Sequence, residues 1–224
     1  MDAYAPKSRR PIAGIFRRTA DWAVSACVSL GIHPDTISYA SIVAAAGAGA
    51  CFFYSGRVPA LLFAAPLLCL LRLWFNMLDG MVALASGKAS RRGEIVNELP
   101  DRVSDVLIFA GVAHSGLCCP LFGYWAIIGA LLTAYVGVLG QAVAGKREYG
   151  GVMSKQWRMV ALMAASVAAG VLGWRGLTDE WRGWSVLDGA LMLVIAGSVE
   201  TCVVRLANTL RLLRDRPAAG GPRP

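Results

Sequence analysis

Two groups of oxygen-bearing side chains lie close together at residues 76–105, which read NMLDGMVALASGKASRRGEIVNELPDRVSD. In the first group, Asn76, Asp79, Gly80 and Ala83 stand at i, i+3, i+4 and i+7, the spacing that aligns residues on one helix face. In the second, Glu94, Glu98, Asp101 and Asp105 fall within an arc of about 60° at 100° per residue, with Asn97 about 40° beyond its edge. A short basic loop containing Lys88, Arg91 and Arg92 separates the two groups. Two helices joined this way aim hard oxygen donors at one another, and such donors suit Mg²⁺ or Mn²⁺ rather than zinc or copper. The small residues Gly80, Ala83, Gly87 and Gly93 leave room for a bulky ligand beside the backbone. The bare pattern has a second reading, in which the acids pair with Arg72, Arg91, Arg92 and Arg102 as structural ion pairs.

The elements that must carry these residues are membrane helices. Of the 224 residues, 56% are hydrophobic and only 16% charged, with mean hydropathy +0.54; a soluble domain is about 25% charged. This balance excludes a disordered chain, a coiled coil and an ordinary soluble enzyme. Apolar segments at 36–56, 58–78, 94–114, 124–144, 157–174 and 184–213 predict six spans. The 40 uncharged positions of 106–145 are too many for one helix, and Pro120 within 115–123 marks the break. Under this arrangement sixteen Lys and Arg fall on one side and three (Arg57, Arg175, Arg182) on the other, which puts both termini in the cytoplasm.

Ahead of the first span, Ile12, Ile15, Phe16, Ala23, Val24, Cys27 and Leu30 recur near helical spacing with Arg17, Arg18 and Asp21 between them. This predicts an amphipathic helix lying on the cytoplasmic face. The expected fold is thus an all-α integral membrane protein of six transmembrane helices preceded by an interfacial helix. Its parts are a tail and interfacial helix (1–34), a six-helix domain (35–216) and a flexible tail (217–224). The net charge of +8 flanks apolar runs, so the expected partner is the lipid surface of the cell's inner membrane, not nucleic acid. The N-terminus lacks the apolar core of a signal peptide, so no cleavage is expected. Six cysteines without metal spacing read as small hydrophobes, and Trp22, Trp174, Trp181 and Trp184 as interfacial anchors.

The acidic stretch resembles the signature of the CDP-alcohol phosphotransferase family, D-x-x-D-G-x-x-A-R-x8-G-x-x-x-D-x-x-x-D. Aligned without gaps, its four acidic positions fall on Asn76, Asp79, Asn97 and Asp101, its glycines on Gly80 and Gly93, its alanine on Ala83 and its arginine on Leu84. Residues 31–38, GIHPDTIS, are similar to the family's G-x-x-P-N-x-x-[ST] entry to the first helix. Residues 151–158, GVMSKQWR, resemble a basic segment before the fifth helix.

The resemblance implies a membrane enzyme, usually a homodimer, that transfers the phosphoalcohol group of a CDP-alcohol such as CDP-diacylglycerol to a small alcohol or phosphorylated polyol. CMP is released. It implies Mg²⁺ or Mn²⁺ held by Asp79 and Asp101, with Asn76 and Asn97 as weaker ligands. Asp101 would act as general base, and Asp79, Gly80, Ala83, Ser90 and Gly93 would border the nucleotide. Lys146, Arg147, Lys155 and Arg158 are candidates for a phosphate on the acceptor, or for topology alone. The two asparagines lower the set from four negative charges to two, and Glu98 and Asp105 are candidate compensating acids. Pro100 sits between Asn97 and Asp101, where a kink would shape the site. Two other functions fit the residues: a CDP-lipid-binding relative with little turnover, and a small proton- or cation-coupled transporter.

Overall fold

The computed structural model describes residues 17–88 and 91–214. Seven helices follow one another: α1 (Arg17–Ser29), α2 (Pro34–Ser55), α3 (Leu61–Ala85), α4 (Arg91–Ala113), α5 (Pro120–Ala144), α6 (Lys155–Trp174) and α7 (Val186–Arg214). A two-residue hairpin, β1 (Glu180–Trp181) and β2 (Trp184–Ser185), precedes α7. The turn of this hairpin puts Arg182 at φ 53.

Five helices, α2, α3, α5, α6 and α7, are long and apolar enough to cross a membrane, and the chain is a membrane protein. The 23-residue α4 is not among them, because Glu94, Glu98, Asp101, Arg102 and Asp105 interrupt its apolar surface. α3 extends well beyond the expected end at 78 and carries Asp79, Gly80 and Ala83 within its last two turns. α5 begins at Pro120, four residues before the expected Tyr124, because proline is favoured in the first helical turn, where no N–H is needed.

Local chemistry sets the helix ends. His33, in an extended conformation, caps α2 by accepting the Asp35 N–H, and Pro34 opens the helix. α5 ends at Gly145, whose φ of 66 is the left-handed conformation that stops a helix. Asp188 accepts the Cys119 N–H (2.7 Å) and the Ser185 N–H (3.0 Å), tying the start of α5 to the hairpin and the start of α7. The helix α4 runs on through Pro100.

α2 is the organising helix for the site. It packs against both α3 and α4, whereas α3 and α4 touch only sparsely along their backbones. Its approach to α4 depends on two glycines: a Cβ at Gly111 would strike the backbone of Gly49, and one at Gly49 the carbonyl of Leu107. The main apolar core, including Phe52, Cys69, Phe109, Met159, Leu162 and Leu191, joins α2 to α7. A smaller cluster of Ala23, Ile37, Leu78 and Val82 seats α1 against α2 and α3. All six cysteines are free.

Candidate active site

The gap between α3 and α4 is filled by polar side chains from three helices. Asn76 of α3 donates through Nδ2 to Asp101 Oδ1 (2.6 Å) and to Asn97 Oδ1 (3.2 Å) of α4. Its own Oδ1 accepts a hydrogen bond from Lys155 Nζ, at the first turn of α6, and the same ammonium donates to Asp101 Oδ2. Asp79, one turn further along α3, is buried. Its Oδ2 accepts from Ser38 Oγ (2.6 Å) and its Oδ1 from the Gly80 N–H (2.6 Å). Ser38 is the last residue of the GIHPDTIS segment, so its bond to Asp79 gives that segment a physical role at the site.

The expected face of α4 is divided between two sets of partners. Asn97 and Asp101 turn toward α3, as the signature alignment implies. Asp105 is buried and bridges two buried guanidiniums: Arg72 Nη2 at 3.1 Å and Arg158 Nη2 at 2.9 Å. Glu98 pairs with Arg147 at 2.7 Å and Arg102 at 3.0 Å. These two acids therefore stand in arginine pairs, the second reading of the acidic pattern, with Arg147 and Arg158 added as partners. The side chain of Glu94 and residue Ser90 lie outside the described residues. Among the described residues no three acids, histidines or cysteines converge as metal ligands; the oxygen set at the site is two carboxylates and two amides.

The four basic candidates do not form one patch. Lys155 lies inside the acidic set. Arg158 is buried on Asp105, Thr133 and the Met153 carbonyl. Arg147 joins Glu98 and lies over the Tyr149 ring, and Lys146 is exposed beside Glu148. Sequence reasoning missed Arg205 of α7, which donates to the carbonyls of Thr133 (2.6 Å) and Gly150 (3.0 Å) close to Arg147. Its signal was available: it is the one arginine in the apolar run 184–210 of the sixth predicted span, and intramembrane charges mark function or buried pairing.

Around the ligand space, a Cβ at Gly80 would meet nothing within 4 Å. Leu84, at the arginine position of the signature, is about half exposed. An apolar cleft is lined by Trp22 and Cys27 of α1, Ile37 and Ala40 of α2, and Phe75 and Leu78 of α3.

The site thus joins oxygen donors on two neighbouring helices of a membrane bundle to a basic interior. No family model matches the chain. The phosphatidylinositol phosphate synthase of Mycobacteroides abscessus is 25% identical over 214 residues, 91% of this chain and 87% of that protein. The archaetidylinositol phosphate synthase of Aeropyrum pernix is 30% identical over 131 residues, 58% of this chain and 64% of that protein. The crystal structure of Mycobacterium tuberculosis phosphatidylinositol phosphate synthase with CDP-diacylglycerol bound has the same fold, at TM-score 0.71 and 22% identity over 90% of this chain and 99% of that one. The same synthase in complex with manganese and citrate matches at TM-score 0.69. The chain is therefore similar, over most of its length, to phosphatidylinositol phosphate synthases.

Proposed function

We propose that this protein moves the phosphatidyl group of CDP-diacylglycerol to the hydroxyl of an alcohol acceptor, releasing CMP, in phospholipid synthesis. The observation that carries this reading is the meeting of Asn76 with Asn97 and Asp101 across the α3–α4 gap, with Asp79 one turn along α3, in a fold shared with a synthase that binds that donor. The donor set fits a divalent cation: two carboxylates offset its charge and two amide oxygens complete a hard oxygen environment. Asp79, Asp101, Asn76 and Asn97 would hold Mg²⁺ or Mn²⁺, whose contribution is to neutralise the pyrophosphate as CMP leaves. Asp101 is the general base for the acceptor hydroxyl, held in place by Asn76 and Arg72. Ser38 orients Asp79. Gly80, Ala83 and Gly93 border the nucleotide, and the cleft between α1, α2 and α3 takes an acyl chain of the donor. Arg147, Arg205 and Lys146 are the cationic groups for a phosphorylated acceptor such as an inositol or glycerol phosphate.

In the same reading α4 is the third of six spans, with Glu98, Asp101, Arg102 and Asp105 facing protein rather than lipid. α1 lies in the cytoplasmic interface as the inner part of the 1–34 segment, the bundle is 35–216, both termini are cytoplasmic, and the enzyme works as a homodimer.

The test is incubation of the purified protein with CDP-diacylglycerol, Mg²⁺ or Mn²⁺ and a panel of free and phosphorylated alcohols. Lipid products are read by mass and CMP by chromatography. A new phosphatidyl lipid together with CMP is expected. A second reading, a CDP-lipid binder without turnover, is favoured by the engagement of both Asp101 oxygens by Asn76, Arg72 and Lys155; donor binding with no CMP from any acceptor would establish it.

A further inference from the structure

We propose that the Lys155 ammonium is a built-in cation that takes the place of one divalent ion, so that each chain binds at most one Mg²⁺ or Mn²⁺. This rests on the reading of the α3–α4 gap as a divalent-cation site, and it narrows the metal-holding set to the Asp79 side. The first observation is the hydrogen-bond pattern. Lys155 Nζ donates to Asn76 Oδ1 and Asp101 Oδ2, the two side chains that face each other across the α3–α4 gap. It lies between them, and 13% of its side chain is exposed.

The second observation is the chemistry of residue 76. An amide has both an acceptor and a donor. Here Asn76 uses its oxygen on the ammonium while its NH₂ donates to Asp101 Oδ1 and Asn97 Oδ1. An aspartate at 76 has no donor and would set a second carboxylate oxygen against Asp101. That arrangement replaces the Asn76–Asp101 hydrogen bond by carboxylate–carboxylate repulsion, which only the fixed cations already beside Asp101 offset. Asparagine at 76 and lysine at 155 are therefore matched to each other: the amide links the ammonium to the carboxylate and to the neighbouring amide without repulsion.

The third observation is the charge already at Asp101. Arg72 Nη2 lies 3.3 Å from Oδ1 and Arg102 Nη2 3.8 Å from Oδ2, in addition to Lys155. A second divalent ion at Asp101 would face three fixed cations. The Asp79 side, whose carboxylate is held by the neutral donors Ser38 and Gly80, is where the single divalent ion is expected. The third N–H of Lys155 has no partner among the described residues, which leaves it for a ligand phosphate.

The experiment counts Mn²⁺ bound to the purified full-length chain by loss of the free-ion electron paramagnetic resonance signal, with and without CDP-diacylglycerol. Wild type is expected to bind no more than one Mn²⁺ per chain. The double variant Asn76→Asp/Lys155→Met, which restores an acid and removes the tethered charge, is expected to bind one more than wild type. Asn76→Asp alone, with the lysine retained, is expected to keep the wild-type count. Two Mn²⁺ per wild-type chain would overturn the proposal, as would an unchanged count in a double variant whose helical content and donor binding match wild type. If the double variant does not fold, the wild-type count and the Asn76→Asp count decide: a gain of one ion on Asn76→Asp with Lys155 in place would overturn it. Failure to release CMP with a wild-type count of one and a gain in the double variant would refute the phosphotransferase reading and leave the tethered cation standing.

Discussion

Substitution of Asp105 separates a structural charge from a metal-holding one. Its carboxylate is buried between Arg72 and Arg158, whose guanidiniums are also buried. Arg72 has a second carboxylate in Asp101, at 3.3 Å, but among the described residues Arg158 has only neutral partners left, Thr133 Oγ1 and the Met153 carbonyl. Asp105→Asn keeps the shape and one acceptor oxygen, but turns an NH₂ toward one of the guanidiniums and leaves Arg158 as a buried cation without an anion. Breaking a buried pair in this way costs about 3 kcal/mol, and roughly two orders of magnitude in the folding equilibrium. The assay is unfolding in mixed micelles of rising SDS content, followed by the fluorescence of the seven tryptophans. Mn²⁺ half-saturation is measured in parallel on the folded protein. Stability is expected to fall by about 3 kcal/mol with the Mn²⁺ curve unmoved. The pair Asp105→Leu/Arg158→Met, which removes both charges and refills the volume, should recover most of the loss, because an apolar replacement of a buried ion pair is often near neutral. An Asp105→Asn variant of wild-type stability with a shifted Mn²⁺ curve would refute the reasoning and move Asp105 into the metal site.

Asp79→Asn and Asp101→Asn should each abolish CMP release, since loss of a metal ligand or general base costs at least about a hundredfold; more than roughly a tenth of wild-type turnover in either would remove the assigned roles. Gly111→Val should destabilise by about 1–3 kcal/mol, because its side chain enters the backbone of Gly49; unchanged SDS resistance would mean that α2 and α4 do not meet there. In a cysteine-free background, single cysteines at the exposed positions Lys88 and Lys146 should label only after the membrane is opened, and those at Arg57 and Arg175 in intact cells. Any reversal breaks the six-span arrangement.

Much of the bundle was legible in the chain because apolar length and charge placement are local quantities. The segments at 36–56 and 157–174 correspond to α2 and α6 within three residues, and Pro120 and Gly145 punctuate α5 where turn chemistry requires. The facing of Asn76 toward Asn97 and Asp101 also followed from helical spacing plus a short loop, whereas the bond of Asp79 to Ser38 of α2 did not. What spacing along α4 could not decide was which part of the acidic arc points where. Periodicity shows that Glu98, Asp101 and Asp105 share a side, but it carries no information on the helices that pack against that side. The tertiary structure turns one edge of the arc, Asn97 and Asp101, to α3 and gives Glu98 and Asp105 to arginines from elsewhere in the chain. The roles of Lys155 and Arg158 were hidden for the same reason. Asn76 and Lys155 are 79 residues apart, and their meeting depends on how α6 seats against α3. A basic residue at a helix start reads as topology in the sequence, and only the packing of α3, α4 and α6 around one gap makes it the cation at the centre of the site.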